Sequence, residues 1–378
     1  MTNTSENQHN FYGFTLEALE EFLVENLKQK SFRAKQLFQW VYQRDKLNFE
    51  DMTDLSKELR GIFNETFYFL DCNHESRAIS KDGTRKYLFK MDKNDLIESV
   101  MIKQEDRMTL CVSSQVGCAL GCKFCQTGTM GLKRNLTTAE IIKQFVGVKR
   151  DSVNFNDMYS NVVFMGMGEP LHNYKGVTEA LKIITSDFGL GLSGRKITVS
   201  SVGLVPAIAK FGKSGIDVNL AISLNATTDE IRSKIMPVND RYNISTLLGT
   251  LREYPLKRRK KFTIEYVMLK DLNDTDADLK RLPLILKDLP VKINLIPYNE
   301  NAGLGFHEPL KETVFKWQRK LLDQGLTSTI RWSKGRDIDA ACGQLVTATK
   351  QEKTKNNISP IFIEKIEQAK RDLIENIA

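Results

Sequence analysis

The chain has 378 residues, 41% hydrophobic and 27% charged, the balance of a folded globular protein with room for two or three domains. No apolar run approaches the roughly 20 residues of a membrane span, and Met1–Asn10 is polar without a charged-then-apolar targeting pattern, so a cytoplasmic protein with no membrane partner is expected. A net charge of +8 suits a polyanionic partner but does not require one, because the basic run Lys257–Lys261 reads equally well as a solvated helix end.

Residues 1–65 read as a small helical accessory domain. Phe32, Leu37, Phe38, Val41 and Tyr42 recur at helical spacing, and Lys28, Lys30, Arg33, Lys35 and Arg44 stud the same stretch. The pattern fits a basic module that touches RNA, or an ordinary amphipathic helix with a wet face. Residues 66–107 read as a β extension, with strands Thr84–Met91 and Leu96–Ile102 around a turn at Asp92–Asp95.

From residue 108 to 345 strands and helices alternate. The expected strands are Thr109–Ser113, Asn161–Met165, Lys196–Ser201, Val218–Ser223, Phe262–Met268 and Lys292–Pro297, with helices such as Thr137–Lys149, Tyr174–Ser186, Ile244–Tyr254 and Asp276–Lys287 between them. Six strand–helix units imply a parallel sheet, and six fall short of the eight that close a barrel, so an α/β fold with an open, partial barrel is expected. Thr327–Trp332 suggests one more strand. The tail, 346–378, begins with a lysine-rich linker; Ser359-Pro360 then offers a cap and a first-turn proline to a C-terminal helix, Ile361–Ile377.

In such barrels chemistry gathers at the carboxyl ends of the strands. Cys118, Cys122 and Cys125 follow the first strand, in the run Gly117-Cys-Ala-Leu-Gly-Cys-Lys-Phe-Cys125. Gly166-Met-Gly-Glu-Pro170 follows the second, Ser200 and Ser201 end the third, Ser223-Leu224-Asn225 the fourth, and Pro297-Tyr-Asn299 the sixth. Three cysteines are one too few for a closed zinc site or for most iron–sulfur clusters. Either Cys111 completes a zinc site, or an iron is left open for a ligand. Six cysteines without secretory context point to metal or redox chemistry rather than structural disulfides. Gly166–Pro170 lets backbone approach a ligand and sets a carboxylate there to meet an amino group; it is otherwise a plain strand-end turn.

The cysteine loop, down to Phe124 before its third cysteine, resembles that of radical S-adenosylmethionine enzymes, and Gly166–Pro170 resembles the motif by which they grip the cofactor's amino group. The wider set of motifs is similar to the radical methyltransferase family that methylates carbon 2 of adenosine in RNA: Ser114–Cys125, Gly131–Leu136, Phe164–Pro170, Ile235-Met-Pro-Val-Asn239 and Asp337-Ile-Asp-Ala-Ala-Cys-Gly-Gln344, with Phe32-Arg-Ala-Lys-Gln resembling the family's helical accessory domain. The resemblance implies a 4Fe–4S cluster on Cys118, Cys122 and Cys125. It places S-adenosylmethionine against Gly168, Glu169, Ser200, Ser223, Leu224, Asn225 and Asn299. Cys342 becomes the methyl carrier, Cys111 its resolving partner in a disulfide, and Glu98 the proton acceptor. The chain departs from the pattern at Asn225, where many members carry histidine, and at Gln126, where alanine is common.

The implied reaction consumes two S-adenosylmethionine molecules: one methylates Cys342, and the other yields the radical that activates that methyl group for addition to an electrophilic ring carbon. The substrate implied is 23S rRNA in its peptidyl-transferase region, with tRNA beside the anticodon for some members, and the electron comes from a flavodoxin- or ferredoxin-like donor. A monomer is the default expectation. Two rivals remain at this point: a sister enzyme methylating carbon 8 of the same adenosine, and a non-enzymatic zinc-binding RNA module built on Cys111, Cys118, Cys122 and Cys125.

Overall fold

The computed structural model describes residues 8–105, 107–301 and 303–346, so the expected C-terminal helix lies outside the described residues. Residues 1–345 cluster as one compact unit. The chain opens with β1 (His9–Asn10), which pairs with β2 (Phe67–Tyr68), and between them run α1 (Leu16–Glu25), α2 (Phe32–Phe38) and α3 (Lys57–Thr66). Thr15 and Ser56 cap α1 and α3 through their side-chain oxygens. Phe11, Phe38, Tyr42 and Phe67 form an aromatic centre. Phe32 does not join them: it is 49% exposed, with the Arg33 guanidinium over its ring.

The extension is a meander, β3 (Ser76–Ile79), β4 (Arg85–Lys90) and β5 (Leu96–Gln104). The turn expected at 92–95 is made by Lys93 and Asn94 at positive φ. The meander joins the main sheet through β6 (Arg107–Cys111), antiparallel to β5. A hairpin, β7 (Gln115–Cys118) and β8 (Gly131–Asn135), is inserted next, with the short α4 (Gln126–Thr129) inside it. The sequence reading held no hairpin here, because its glycines and cysteines carry no alternating apolar pattern. The long α5 (Thr138–Ser152) follows, started by a capping box between Thr137 and Glu140.

The repeat then runs β9 (Tyr159–Phe164), α6 (Tyr174–Thr185), β10 (Ile197–Ser201), α7 (Val205–Gly212), β11 (Asn219–Ser223), α8 (Asp229–Ile235), α9 (Ile244–Glu253), β12 (Phe262–Met268), α10 (Asp276–Ile285), β13 (Val291–Pro297), α11 (Lys311–Asp323) and β14 (Ser328–Ile330). The sheet order is β14-β13-β12-β11-β10-β9-β6-β5-β4-β3, with every pair from β14 to β6 parallel. Its central strands are buried along most of their length, as strands covered on both faces are. Ile264 is registered against Ile222 on one side and Ile293 on the other. This is the open α/β barrel of six strand–helix units, with β14 as the further edge strand. The basic run 257–261 is no helix end. It lies in the loop before β12, where Lys257 and Lys260 pair with Asp217.

Candidate active site

Inserting the hairpin directly after β6 puts the three-cysteine loop over the strand ends. Gly117 makes that possible: at φ +75 its missing Cβ would stand 1.9 Å from the Gly131 carbonyl, so no side chain fits between the hairpin strands. Cys118 ends β7, Cys122 is buried, and Cys125 occupies the N-cap of α4. The loop is tied down on two sides. Lys123 N donates to Ile235 O at 2.9 Å, and Gln126 N donates to Gly343 O at 2.8 Å. Burial raises the pKa of each of the three thiols, Cys118 to about 12, and Cys122 is raised further by the nearby thiols of Cys125 and Cys118.

Those thiols suit an iron–sulfur cluster. They are mutually close and burial has stripped them of water, so they are stable as thiolates only when a metal supplies positive charge. Among the described residues no three Cys, His, Asp or Glu side chains are placed to hold a single ion. A cubane, whose corner irons are taken by different cysteines, does not ask the sulfurs to meet at one point; a zinc ion does. The described residues thus lend no support to a zinc module with Cys111 as fourth ligand.

Beside the loop is a recess of about 160 Å3 lined by Cys122, Cys125, Gly168, Glu169, Ser200, Ser223, Asn225, Asn299 and Cys342, among others. Gly168 sits at φ +98, where a Cβ would collide with Gln115 at 2.5 Å. Glu169 is 2% exposed and accepts hydrogen bonds from Val202 N at 3.0 Å and Leu171 N at 3.3 Å. Burial outweighs those bonds and pushes its pKa up to about 7. Asn225 adopts φ 57, a left-handed conformation that asparagine tolerates. Its Oδ1 accepts from Val267 N at 2.8 Å. Asn299 donates to Ser333 Oγ and accepts from Arg336 Nε, both at 2.5 Å. Leu224 is the exception among the expected cofactor residues: its side chain is fully buried away from the recess, and its carbonyl accepts from Arg232 Nε at 3.0 Å.

A second recess, about 110 Å3, opens where β5 and the chain after β14 face each other; Cys111, Cys125, Arg331, Trp332 and Cys342 help to line it. Cys342 thus stands between the two recesses, solvent-exposed in their shared wall. Cys111, at the end of β6, is buried, and its pKa is pushed up to about 12 by burial and then by Cys342. Desolvation of its sulfur between the two recesses raises the pKa of Cys342 as well, while the Arg331 guanidinium favours both thiolates. Glu98 lines neither recess. It is buried on β5 and paired with Lys86 at 3.0 Å, whose ammonium also reaches Asp339 O at 3.1 Å.

Sequence reasoning missed Arg331 and Glu265. Arg331 follows β14, so the strand-end rule that found the other rim residues covers it too. Glu265 lines the first recess from the middle of β12, where burial raises its pKa against a 2.9 Å bond from Asn294. A carboxylate inside an otherwise apolar strand was its available signal.

An open parallel barrel with three clustered thiols above its strand ends and a glycine–carboxylate turn beside them is the arrangement of a radical S-adenosylmethionine enzyme. Residues 112–282 match the Radical SAM superfamily, and residues 9–68 match the ribosomal RNA large subunit methyltransferase N-terminal domain. A dual-specificity RNA methyltransferase RlmN of Geobacter sulfurreducens is 51% identical over 88% of this chain and 91% of its own. Its namesake in Geotalea uraniireducens is 50% identical over 88% and 95%. A crystal structure of a radical SAM methyltransferase from Sphaerobacter thermophilus superposes with a TM-score of 0.82 at 38% identity, over 89% of this chain and 98% of that one. The chain belongs to this family of dual-specificity RNA methyltransferases, and with it come a 4Fe–4S cluster, S-adenosylmethionine and an RNA substrate. No helix among the described residues is long and apolar enough to cross a membrane.

Proposed function

We propose that this enzyme methylates carbon 2 of a specific adenosine in 23S rRNA and of the adenosine beside the anticodon in tRNA, acting as a cytoplasmic monomer fed by a flavodoxin- or ferredoxin-like donor. One observation carries the reading: Cys342 stands in the wall shared by two recesses, with Cys111 lining the far one. A methyl carrier must face the methyl donor and the acceptor base in turn.

In this reading Cys118, Cys122 and Cys125 hold the cluster, which supplies the electron for reductive cleavage of S-adenosylmethionine. Glu169 takes the amino group of S-adenosylmethionine, whose positive charge offsets the carboxylate's burial. Gly168, Ser200, Ser223, Asn225 and Asn299 shape the remainder of that site, and Leu224 contributes through its backbone. Cys342 Sγ, favoured as thiolate by Arg331, attacks the methyl carbon; an S–CH3 bond forms at the cysteine as the sulfonium bond breaks, and the thioether of the spent donor leaves. The target adenine reaches the second recess unstacked, as an enzyme working on a base edge requires. Cys111, which lines the second recess, helps to remove the proton from carbon 2, and Glu98, paired with Lys86 outside both recesses, is the acceptor to which it passes. Once the carbon carried on Cys342 Sγ is joined to carbon 2, Cys111 Sγ attacks Cys342 Sγ: the S–S bond forms as the bond from Cys342 Sγ to that carbon breaks, and the carbon takes the electron pair and a proton to become the product methyl group.

The test is anaerobic turnover of cluster-reconstituted enzyme on an rRNA fragment and on tRNA, read by nucleoside mass spectrometry. 2-Methyladenosine in both RNAs is expected. 8-Methyladenosine would overturn the regiochemistry, and product from rRNA alone would overturn the dual substrate.

A further inference from the structure

Arg232 on α8 is unusual: a completely buried arginine whose hydrogen-bond acceptors include no carboxylate, Asp229 one turn earlier on the helix acting on it only through space. Its guanidinium donates only to neutral oxygens. Nε reaches Leu224 O at 3.0 Å; Nη1 reaches Asn239 Oδ1 at 3.0 Å and Tyr242 O at 3.3 Å; Nη2 reaches Val202 O at 2.6 Å and Ser223 O at 3.3 Å. A buried cation so held has its donors satisfied while its charge is offset only in part, by Asp229, so it remains available to a neighbouring anion. Burial lowers its pKa only to about 10, so the charge persists at neutral pH.

What lies nearby is the three-cysteine loop. The carbonyl of Arg232 accepts from Met236 N at 2.7 Å, and Ile235 and Met236 share a buried apolar cluster with Cys122, Phe124 and Cys125. Ile235 O takes the Lys123 amide of the loop itself. The same guanidinium holds the carbonyls after β10 and at the end of β11, beside the cofactor recess.

We propose that Arg232 is the counter-charge of the cluster: a positioning residue whose fixed, desolvated cation stabilises the reduced cluster and so raises its reduction potential. The proposal rests on Cys118, Cys122 and Cys125 being the cluster ligands. Adding one electron makes a thiolate-bound cluster more negative, and net charge and burial are among the levers that set such potentials. A cation across a low-dielectric gap acts far more strongly than one in water, and its cost is already met by five backbone and amide oxygens.

The experiment compares midpoint potentials of the reconstituted enzyme, titrated with dithionite and read by electron paramagnetic resonance, in wild type, Arg232→Lys, Arg232→Gln and Asn239→Asp. Asn239→Asp keeps an acceptor on the guanidinium and neutralises its charge but loses the Nδ2 bonds to Asp229 O and Ser233 Oγ, so Asn239→Ala, which loses them without adding charge, is titrated beside it and should stay near wild type. Arg232→Gln and Asn239→Asp should make the cluster harder to reduce, lowering the reduced-to-oxidised ratio at fixed potential about tenfold, or about 59 mV for one electron. Arg232→Lys keeps the charge, loses the fork and should stay near wild type. A purely structural clamp would instead leave the potential of Asn239→Asp unchanged, and that result overturns the proposal even if Arg232→Gln loads no cluster. Iron and sulfide analysis of the wild type reports separately on the cluster itself: none bound sinks the ligand assignment, not the variant comparison.

Discussion

The cofactor rim and the Cys342 segment sit side by side but are built in different ways. Most rim groups are delivered by strand ends of the parallel sheet, and two are held by backbone amides: Glu169 takes Val202 N and Leu171 N, and Asn225 takes Val267 N. The segment from Gly335 to Leu345 belongs to no strand or long helix. It is fixed at both ends and tied between them: Asp337 accepts from Ser80 Oγ at 2.6 Å and Lys81 N at 3.1 Å, Thr127 Oγ1 donates to Leu345 O at 2.7 Å, and Lys86 Nζ and Gln126 N reach the Asp339 and Gly343 carbonyls. One region holds a cofactor still, and the other presents a single thiol to two recesses. A site that grips is made of sheet; a site that hands over a group is a strap tied at both ends.

Breaking either region at its reacting sulfur should be close to all-or-none, yet with different signatures. Cys122→Ala removes a cluster ligand, so bound iron, S-adenosylmethionine cleavage and RNA methylation should all be lost together. Cys342→Ala should load a cluster normally and abolish methylated RNA, a loss of at least about 1000-fold, the scale on which removal of an essential nucleophile acts. Methyladenosine from Cys342→Ala would remove the carrier role altogether. Cys111→Ala divides the comparison further: it should stall with RNA covalently bound at Cys342, visible as a shifted band in a denaturing gel, and no such adduct would unseat Cys111 as the resolving thiol.

A smaller, graded effect should come from Glu169→Gln, which keeps the shape and removes the charge. KM for S-adenosylmethionine should rise about tenfold to a hundredfold, the loss of one charge-assisted bond in a buried site, with cluster content unchanged. The same carboxylate predicts a pH dependence. Its folded pKa of about 7 lies above the ordinary 4.5, so the ligand-free fold binds the proton more tightly than the unfolded chain does. That stabilisation is fully present below about 4.5 and is lost as pH rises through about 7, roughly 3 kcal/mol over the interval at 1.36 kcal/mol per unit. Thermal melts of ligand-free protein between pH 5 and 8 should therefore fall more steeply in wild type than in Glu169→Gln. Equal slopes would show that Glu169 does not carry the proton.

How far the sequence could be read follows the same division. The rim's place was legible because strand ends in a parallel barrel are predictable positions, and Gly168, Glu169, Ser200, Ser223, Asn225 and Asn299 lie at or just beyond them; their assignment to the cofactor came from the family resemblance, not from periodicity. Leu224 shares their turn, but its side chain points to the core, since adjacent residues at a strand end face opposite ways. The Cys342 segment follows no period; its place beside Cys111 depends on contacts across some 250 residues, such as Ser80 to Asp337, that no local pattern encodes. The β7–β8 hairpin was invisible for a related reason: a loop chosen to carry ligands has no apolar alternation to show. Arg232 could not have been singled out either, because a helical arginine is normally a surface residue and only burial reveals otherwise.

The weakest perturbation tests the strap most directly. Ser80 is 5% exposed, in the turn before β4, and its hydroxyl is one of two groups holding the Asp337 carboxylate. Ser80→Ala leaves Lys81 N in place and removes about 1 kcal/mol of hydrogen bonding, so the fold should survive with little change in melting temperature. If the strap's job is to aim Cys342 at each recess in turn, kcat should still drop about threefold to tenfold, because slight misplacement of a reacting atom is costly. KM for S-adenosylmethionine and the cluster content should not move, since both belong to the rim. A rise in KM with kcat intact would mean that the two regions share one support, and the contrast between them would collapse.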